Sequence, residues 1–312
     1  MRLRADHAKP QAAQFPTSTR LSVVTNLPDV TDDTCRDALA AFDRGAARAV
    51  FHTGRYAMRY AVWGEGPPLI VIHGLSDAVR GFAMVMHRLA AHFTCIAYEL
   101  PNGPDDGAAL GAYRHRDYAA DLFALLDHLK IDRVTLLGSS FGTTVAVRAL
   151  AMRPERFSRC VLKSAFPRRP LRWYERLGAR QGRYWAGRLS ELPMRGFAMG
   201  RACPATWAVC SPLARDLLLR YNGETPIAAA CRRATMLDKL DLRPLLPTVR
   251  TPVLLIGGDR DRIVPRRYED ELAAGLPDVR RIEFAACGHY PQYTHPGATA
   301  DAVAAFLGER PV

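Results

Sequence analysis

Short apolar segments alternate with amphipathic ones along most of this chain. The run Leu69–Ile72 follows the turn-forming segment Gly64–Pro68 and contains no polar residue, as expected for a strand that is buried on both faces. Further along the chain, apolar residues recur at helical spacing. One face of that helix would contain Tyr118, Leu122, Leu125, Leu126 and Leu129. Strands that alternate with helices predict an α/β fold, with a doubly wound and mostly parallel sheet.

The same pattern predicts the order of elements and the domain organisation. Strands are expected at 56–63, 69–72, 93–99, 133–137, 160–163, 253–256 and 280–284. Helices are expected at 83–92, 118–129, 143–150, 266–274 and 298–307. From about residue 167 to residue 246, the pattern becomes helical, arginine-rich and aromatic. We therefore expect an N-terminal extension (1–50), a core (51–166 and 247–312) and an inserted helical cap (167–246).

One pentapeptide carries the strongest chemical signal. Gly138-Ser139-Ser140-Phe141-Gly142 follows the apolar segment Arg133–Leu137 and precedes a helical segment. A serine on a sharp turn between a strand and a helix is the arrangement called a nucleophile elbow. The glycines suit it because larger side chains would collide within so tight a turn. The five residues alone are equally compatible with a glycine-rich loop that has no chemistry.

Two downstream residues could activate Ser140. A serine hydroxyl is a weak nucleophile unless a general base, itself oriented by a carboxylate, takes its proton. Asp261 and His289 each follow a predicted strand, in the order serine, acid, base. The carboxyl ends of parallel strands meet at one edge of the sheet, where open α/β sheets keep their sites. Taken singly, Asp261 could belong to a turn of alternating Asp and Arg, and His289 to an ordinary loop.

Together these motifs resemble those of the α/β-hydrolase superfamily, in its serine-nucleophile branch with a helical cap. The likeness covers roughly residues 55–165 and 247–308. It implies that Ser140 is the nucleophile and His289 the base. It favours Asp261 over Asp259 as the acid, because a Gly-x-x-Asp-x-x-Val-Pro pattern begins at Gly258.

The resemblance also implies an oxyanion hole. His73-Gly74 follows the predicted strand 69–72, so the backbone N–H groups of Leu75 and Phe141 would bind the oxyanion. His73 itself is expected to organise the loop. The chain departs from the common pattern just after Leu75, where Asp77 introduces a carboxylate that could oppose a developing negative charge.

The expected function is therefore that of a serine hydrolase. It would cleave a carboxylic ester or thioester, with an apolar acyl chain, through a Ser-His-Asp triad and an acyl-enzyme. Neither a metal nor an organic cofactor is implied. Two alternatives stay open: an acyltransferase that uses the same triad, and a non-catalytic ligand-binding protein of the same fold.

Positive charge is concentrated in one part of the chain. The net charge is +12, and the segment 153–201 holds thirteen lysine and arginine residues against three glutamates. Three interpretations compete: a solvated basic face above an apolar pocket roof, a surface for anionic lipid or an acidic partner, and a site for an anionic substrate. No nucleic-acid-binding motif accompanies the charge, so a nucleic-acid partner is not expected.

The cysteines and the N-terminus bear on the compartment. Seven cysteines without a Cys-x-x-Cys pair indicate small buried residues in a reducing environment, although a disulfide among Cys203, Cys210 and Cys231 is another interpretation. The first residues are polar and lack the apolar region of a secretory signal. No apolar run is long enough to span a membrane. We therefore expect a cytoplasmic protein.

Overall fold

A single mixed sheet organises the chain in the computed structural model, which describes residues 21–25 and 28–308. The strands are β1 (Leu21–Val24), β2 (Ala47–His52), β3 (Ala57–Trp63), β4 (Pro68–Ile72), β5 (Thr94–Tyr98), β6 (Val134–Ser139), β7 (Phe157–Lys163), β8 (Val253–Gly258) and β9 (Val279–Phe284). Their spatial order is β1-β9-β8-β7-β6-β4-β5-β3-β2. The pairs β2–β3 and β3–β5 are antiparallel, and the others are parallel. The predicted α/β class with a mostly parallel sheet is confirmed.

Helices cover both faces of this sheet. They are α1 (Asp32–Gly45), α2 (Ala83–Leu89), α3 (His115–His128), α4 (Phe141–Met152), α5 (Trp173–Gly182), α6 (Arg195–Ala202), α7 (Pro204–Val209), α8 (Pro212–Gly223), α9 (Ile227–Lys239), α10 (Arg266–Gly275), α11 (Pro291–Thr294) and α12 (Pro296–Gly308). None of the helices in the described part of the chain is both long and apolar enough to cross a membrane.

The hydrophobic core lies in two layers, one on each side of the sheet. Successive side chains of a strand point to opposite faces, so Leu136 and Leu137 of β6 enter different layers. Leu136 packs in the layer that contains Leu122 of α3, and Leu137 packs in the layer that contains Leu89 of α2. The continuous apolar runs of the central strands are explained by this double burial.

The predicted N-terminal extension packs on the core from Val30 onward. Thr31 caps α1 by accepting a hydrogen bond from the Thr34 N–H, and the side chains of Cys35 and Phe42 are buried. Before it, β1 pairs in parallel with β9 and forms one edge of the sheet. Residues 1–20, the first part of the predicted extension, lie outside the described residues.

Helices α5 to α9 lie between β7 and β8 in sequence, and here one expectation is wrong. In the sequence, one helical face would approximately collect six apolar residues, namely Leu171, Tyr174, Leu177, Tyr184, Trp185 and Leu189, which predicts an apolar pocket roof. The helix ends at Gly182, so the register is lost after it. Tyr184 and Trp185 are 72% and 54% exposed, and Leu171 is the buried member of the set.

The cysteines behave as the sequence indicates. All seven thiols are free, and all except Cys231 are buried. Burial raises the pKa of Cys95 to about 12. These thiols therefore serve as small packing residues.

Candidate active site

Ser140 occupies a strained turn between β6 and α4. Its backbone has φ 50° and ψ −114°, a conformation that L-residues rarely adopt. The Ser140 N–H donates to the carbonyl of Lys163 at 2.9 Å, and the Ser140 carbonyl accepts from the Thr143 N–H at 2.9 Å. These bonds hold the turn, so that the serine side chain projects from the carboxyl end of the sheet.

The two glycines of the motif leave room that no side chain could occupy. A Cβ on Gly142 would lie 2.2 Å from the Ile72 carbonyl oxygen, and one on Gly138 would lie 2.8 Å from the Gly142 carbonyl oxygen. Such separations are far shorter than van der Waals contact. The sequence pattern around Ser140 therefore follows from close packing of α4 against β4 and β6.

Three side chains predicted from the sequence lie in one hydrogen-bonded line. His289 Nε2 is 3.1 Å from Ser140 Oγ. On the other side of the ring, His289 Nδ1 is 2.7 Å from Asp261 Oδ2. The side chains of His289 and Asp261 are 4% and 5% exposed. Burial protects the short His–Asp contact from competition by water.

The geometry separates the two candidate acids. Asp261 Oδ1 accepts from the N–H groups of Ile263 and Val264, at 2.8 and 2.9 Å, which leaves Oδ2 for the imidazole. Asp259 instead accepts from the Cys287 N–H at 3.0 Å, within the turn. Asp261 is therefore the carboxylate that can orient His289.

The loop after β4 lies beside Ser140 and supplies one of the two predicted oxyanion donors. Leu75 belongs to this loop, and Phe141 is the first residue of α4. Neither backbone N–H has a hydrogen-bond acceptor within the described part of the chain, so both are available to a substrate oxygen. His73 fixes the loop, because its Nδ1 contacts the Gly74 carbonyl at 2.8 Å while its Nε2 accepts from the Leu100 N–H at 3.1 Å.

A cavity of about 270 Å³ opens beside Ser140 and His289. Apolar side chains form part of its wall, among them Leu75, Phe166, Leu171, Leu237 and Ile263. The described residues contain no group of three or more histidine, cysteine or acidic side chains that could hold a metal ion.

The fold and this site agree with what the chain resembles. The sequence profile of the family described as alpha/beta hydrolase fold matches residues 67–296. The chain belongs to the α/β hydrolase fold family.

Relatives of this hydrolase include proteins that are named as enzymes. The pimeloyl-[acyl-carrier protein] methyl ester esterase of Xanthomonas axonopodis pv. citri is 28% identical over 271 residues, which cover 81% of this chain and 100% of that protein. An uncharacterized protein of Mycobacterium tuberculosis is 27% identical over 280 residues, covering 81% of this chain and 78% of its own length. The enol-lactonase of Burkholderia xenovorans has the same fold, with a TM-score of 0.73, 21% identity and coverage of 84% of this chain and 100% of that chain.

Asp77, which departs from the common hydrolase pattern, is held by hydrogen bonds on several sides. It accepts from the Ala78 N–H at 3.0 Å, from Gln292 Nε2 at 3.0 Å and from Tyr293 Oη at 2.9 Å. Burial raises the pKa of Asp77, although these hydrogen bonds act to lower it. Its negative charge is therefore spread over donors and turned toward the 292–293 segment.

A buried lysine that sequence reasoning missed lies under the triad. Lys163, at the end of β7, is 1% exposed, and its Nζ lies 3.4 Å from the His289 carbonyl oxygen. Burial lowers the pKa of Lys163 to about 8, against the opposing influence of Asp77 and Asp261. The sequence signal was a lysine at the end of an apolar strand, next to the strand that carries Ser140.

The cap contributes a second buried cation to this hydrolase. Arg233 of α9 is fully buried. It donates to the carbonyl oxygens of Leu75 at 2.6 Å and Pro101 at 2.7 Å, and to Asn102 Oδ1 at 2.7 Å. The loop that carries Leu75 is thus tied directly to the cap. No sequence motif marks this contact.

Proposed function

We propose that this hydrolase cleaves a carboxylic ester or thioester through an acyl-enzyme on Ser140. The observation that carries the proposal is the line from Ser140 Oγ through His289 to Asp261, with separations of 3.1 and 2.7 Å. Both distances lie in the range of hydrogen bonds that can pass a proton.

In the first step, Ser140 Oγ attacks the carbonyl carbon of the substrate while its proton moves to His289 Nε2. Asp261 holds the ring so that Nε2 faces the serine, and it stabilises the imidazolium that forms. The negative charge on the carbonyl oxygen is met by the N–H groups of Leu75 and Phe141. His289 then returns the proton to the departing alcohol or thiol.

In the second step, water enters and His289 removes its proton. The hydroxide equivalent attacks the acyl carbon, the tetrahedral intermediate collapses, and Ser140 Oγ leaves with the proton returned by His289. The carboxylic acid is released and the free enzyme is regenerated.

The cavity beside Ser140 favours an apolar acyl group, because leucine, isoleucine and phenylalanine side chains form part of its wall. The names of relatives support ester chemistry: a methyl ester esterase and an enol-lactonase share this fold.

The test is turnover of short p-nitrophenyl esters by two matched serine variants. Ser140→Ala should abolish turnover, whereas Ser158→Ala should retain it, since the Ser158 hydroxyl pairs with Thr135 elsewhere on the sheet. Circular dichroism would verify that both variants are folded. Undiminished turnover in Ser140→Ala would refute the assignment.

The same assay separates hydrolysis from acyl transfer. Added alcohol acceptors compete with water for the acyl-enzyme, and the ratio of new ester to free acid measures the partition. A hydrolase releases mainly acid, whereas an acyltransferase releases mainly ester. A protein that only binds ligands gives neither product.

A further inference from the structure

A second cavity of about 640 Å³ lies next to the cavity at Ser140. Arg169, Glu175 and Ile263 line both cavities and form the wall between them. The second cavity is bounded on one side by the cap and on the other by the segment 262–268, which directly follows Asp261. A substrate that reached Ser140 could therefore extend into it.

Arginine dominates the lining of this second cavity, here named the arginine cavity. Besides Arg169, it is lined by Arg172, Arg201, Arg262 and Arg267, and the lining contains one carboxylate, Glu175. Arg169 Nη2 pairs with Glu175 at 3.0 Å. Burial opposes ionisation of Glu175, but hydrogen bonds from Arg169 and from the Arg172 N–H outweigh it and lower its pKa. This pair is therefore neutral as a unit.

The other four guanidinium groups have no carboxylate within ion-pair distance among the described residues. Arg172 donates to Tyr174 Oη at 2.7 Å. Arg201 and Arg267 lie over the rings of Phe197 and Tyr268, at 5.9 and 4.9 Å from the ring centroids. These contacts orient the arginines without neutralising their charge.

Some arginines elsewhere in the cap are paired with carboxylates. Arg176 binds Asp238 at 2.7 Å, and Arg188 binds Asp105 at 2.6 Å. The arginine cavity is distinguished by the convergence of four arginines, unpaired within the described part of the chain, on one concavity. Like charges that converge on a concavity repel one another and raise the local concentration of anions. Guanidinium groups are particularly suited to phosphate, since they offer two parallel N–H donors.

We infer that the arginine cavity binds a phosphate-bearing part of the substrate whose acyl carbonyl lies at Ser140. The inference rests on the proposed function, and it adds the chemical class of the leaving group. The phosphate belongs to the alcohol or thiol half of the substrate. The apolar cavity beside Ser140 receives the acyl half, and the Arg169–Glu175 pair separates the two.

The test compares substrates that differ in their phosphates. Butyryl-coenzyme A and S-butyryl-N-acetylcysteamine share the thioester, but the second lacks every phosphate. A monoacylglycerol phosphate and the corresponding monoacylglycerol form an equivalent lipid pair. At low ionic strength, we expect kcat/KM for the phosphate-bearing member of one pair to exceed that of its neutral partner by roughly tenfold. The pair that shows this preference identifies the source of the phosphate.

Matched charge variants localise the effect. Arg201→Gln/Arg267→Gln should reduce the preference roughly tenfold, because two guanidinium groups leave the cavity. Arg180→Gln/Arg220→Gln removes the same charge from cap arginines outside the lining and should retain the preference. Equal kcat/KM within both pairs, or a preference that survives in the first variant, would overturn the inference.

Binding without turnover keeps this test independent of the proposed function. Isothermal titration calorimetry with pyrophosphate should show binding to the wild-type protein and roughly tenfold weaker binding to Arg201→Gln/Arg267→Gln. Equal binding to the two proteins, or no binding to either, would overturn the inference. If esters are not cleaved but pyrophosphate binding follows this pattern, the hydrolase proposal alone fails.

Discussion

Arg233, carried by the cap, donates a 2.6 Å hydrogen bond to the backbone carbonyl of Leu75 in the loop beside Ser140. Nη2 of the same guanidinium donates to the Pro101 carbonyl oxygen and to Asn102 Oδ1, each at 2.7 Å. Rigid placement of oxyanion donors matters because they act only if they are already aimed where charge develops. Helix α9 therefore fixes the loop that carries Leu75, one of the two proposed oxyanion donors.

Replacing Arg233 with lysine should lower kcat about tenfold with little change in KM, because a lysine cannot span the separate acceptors and the oxyanion forms only in the transition state. Affinity for a trifluoromethyl ketone, which mimics the tetrahedral intermediate, should fall in parallel. Arg176→Lys is the control, since Arg176 pairs with Asp238 in the cap. An effect confined to KM would contradict a role in positioning the loop.

The two neighbouring acids should respond differently to amidation. Asp261→Asn should lower kcat by about 10²- to 10⁴-fold, because the amide favours the wrong imidazole tautomer, as the equivalent change does in serine proteases. Asp259→Asn keeps an oxygen for the Cys287 N–H and should change kcat little. Steady-state kinetics on a p-nitrophenyl ester measures both. A larger loss of kcat in Asp259→Asn than in Asp261→Asn would mean that Asp259 orients His289.

Close packing at the elbow predicts a marked loss of stability in Gly142→Ala. Its Cβ would lie 2.2 Å from the Ile72 carbonyl oxygen, so we expect the free energy of unfolding to fall by about 2 kcal/mol or more. Gly178→Ala in α5 meets nothing within 4 Å and should be neutral or slightly stabilising. Urea titration distinguishes the two, and equal stability would mean that the elbow is not tightly packed.

Lys163 should make stability depend on pH in a defined direction. Its pKa in the folded protein is about 8, below the ordinary value of 10.5. Between these values the unfolded chain binds more protons, so raising the pH stabilises the folded wild-type protein. Lys163→Met removes this dependence of stability on pH. The free energy of unfolding of wild type, relative to the variant, should therefore rise by about 1 kcal/mol per pH unit between pH 8 and 10. A constant difference across that range would show that the pKa of Lys163 is not lowered in the folded protein.

The sequence predicts the parts of this fold that depend on local pattern. The apolar runs of β4, β6 and β8 mark buried strands, and Ser140, Asp261 and His289 follow strands whose carboxyl ends share one edge. Motif and topology together are sufficient to bring these three side chains into contact. The acid could be chosen because the pattern around Asp261 matches a known family.

Contacts between segments far apart in sequence were not predictable in this way. Arg233 reaches Leu75 across 158 positions, through docking of the cap. Lys163 lies under His289 because β7 and β9 flank β8. The strand β1 is short, and its partner β9 lies near the other end of the chain. None of these pairings leaves a local periodicity.

Covalent labelling measures directly whether Ser140 is a nucleophile that His289 activates. A fluorophosphonate probe reacts with activated serines, and peptide mass spectrometry locates the adduct. We expect one adduct, on the peptide that contains Ser140, and a labelling rate that falls at least about 100-fold in His289→Ala. An unlabelled Ser140, or labelling at the same rate without His289, would contradict it.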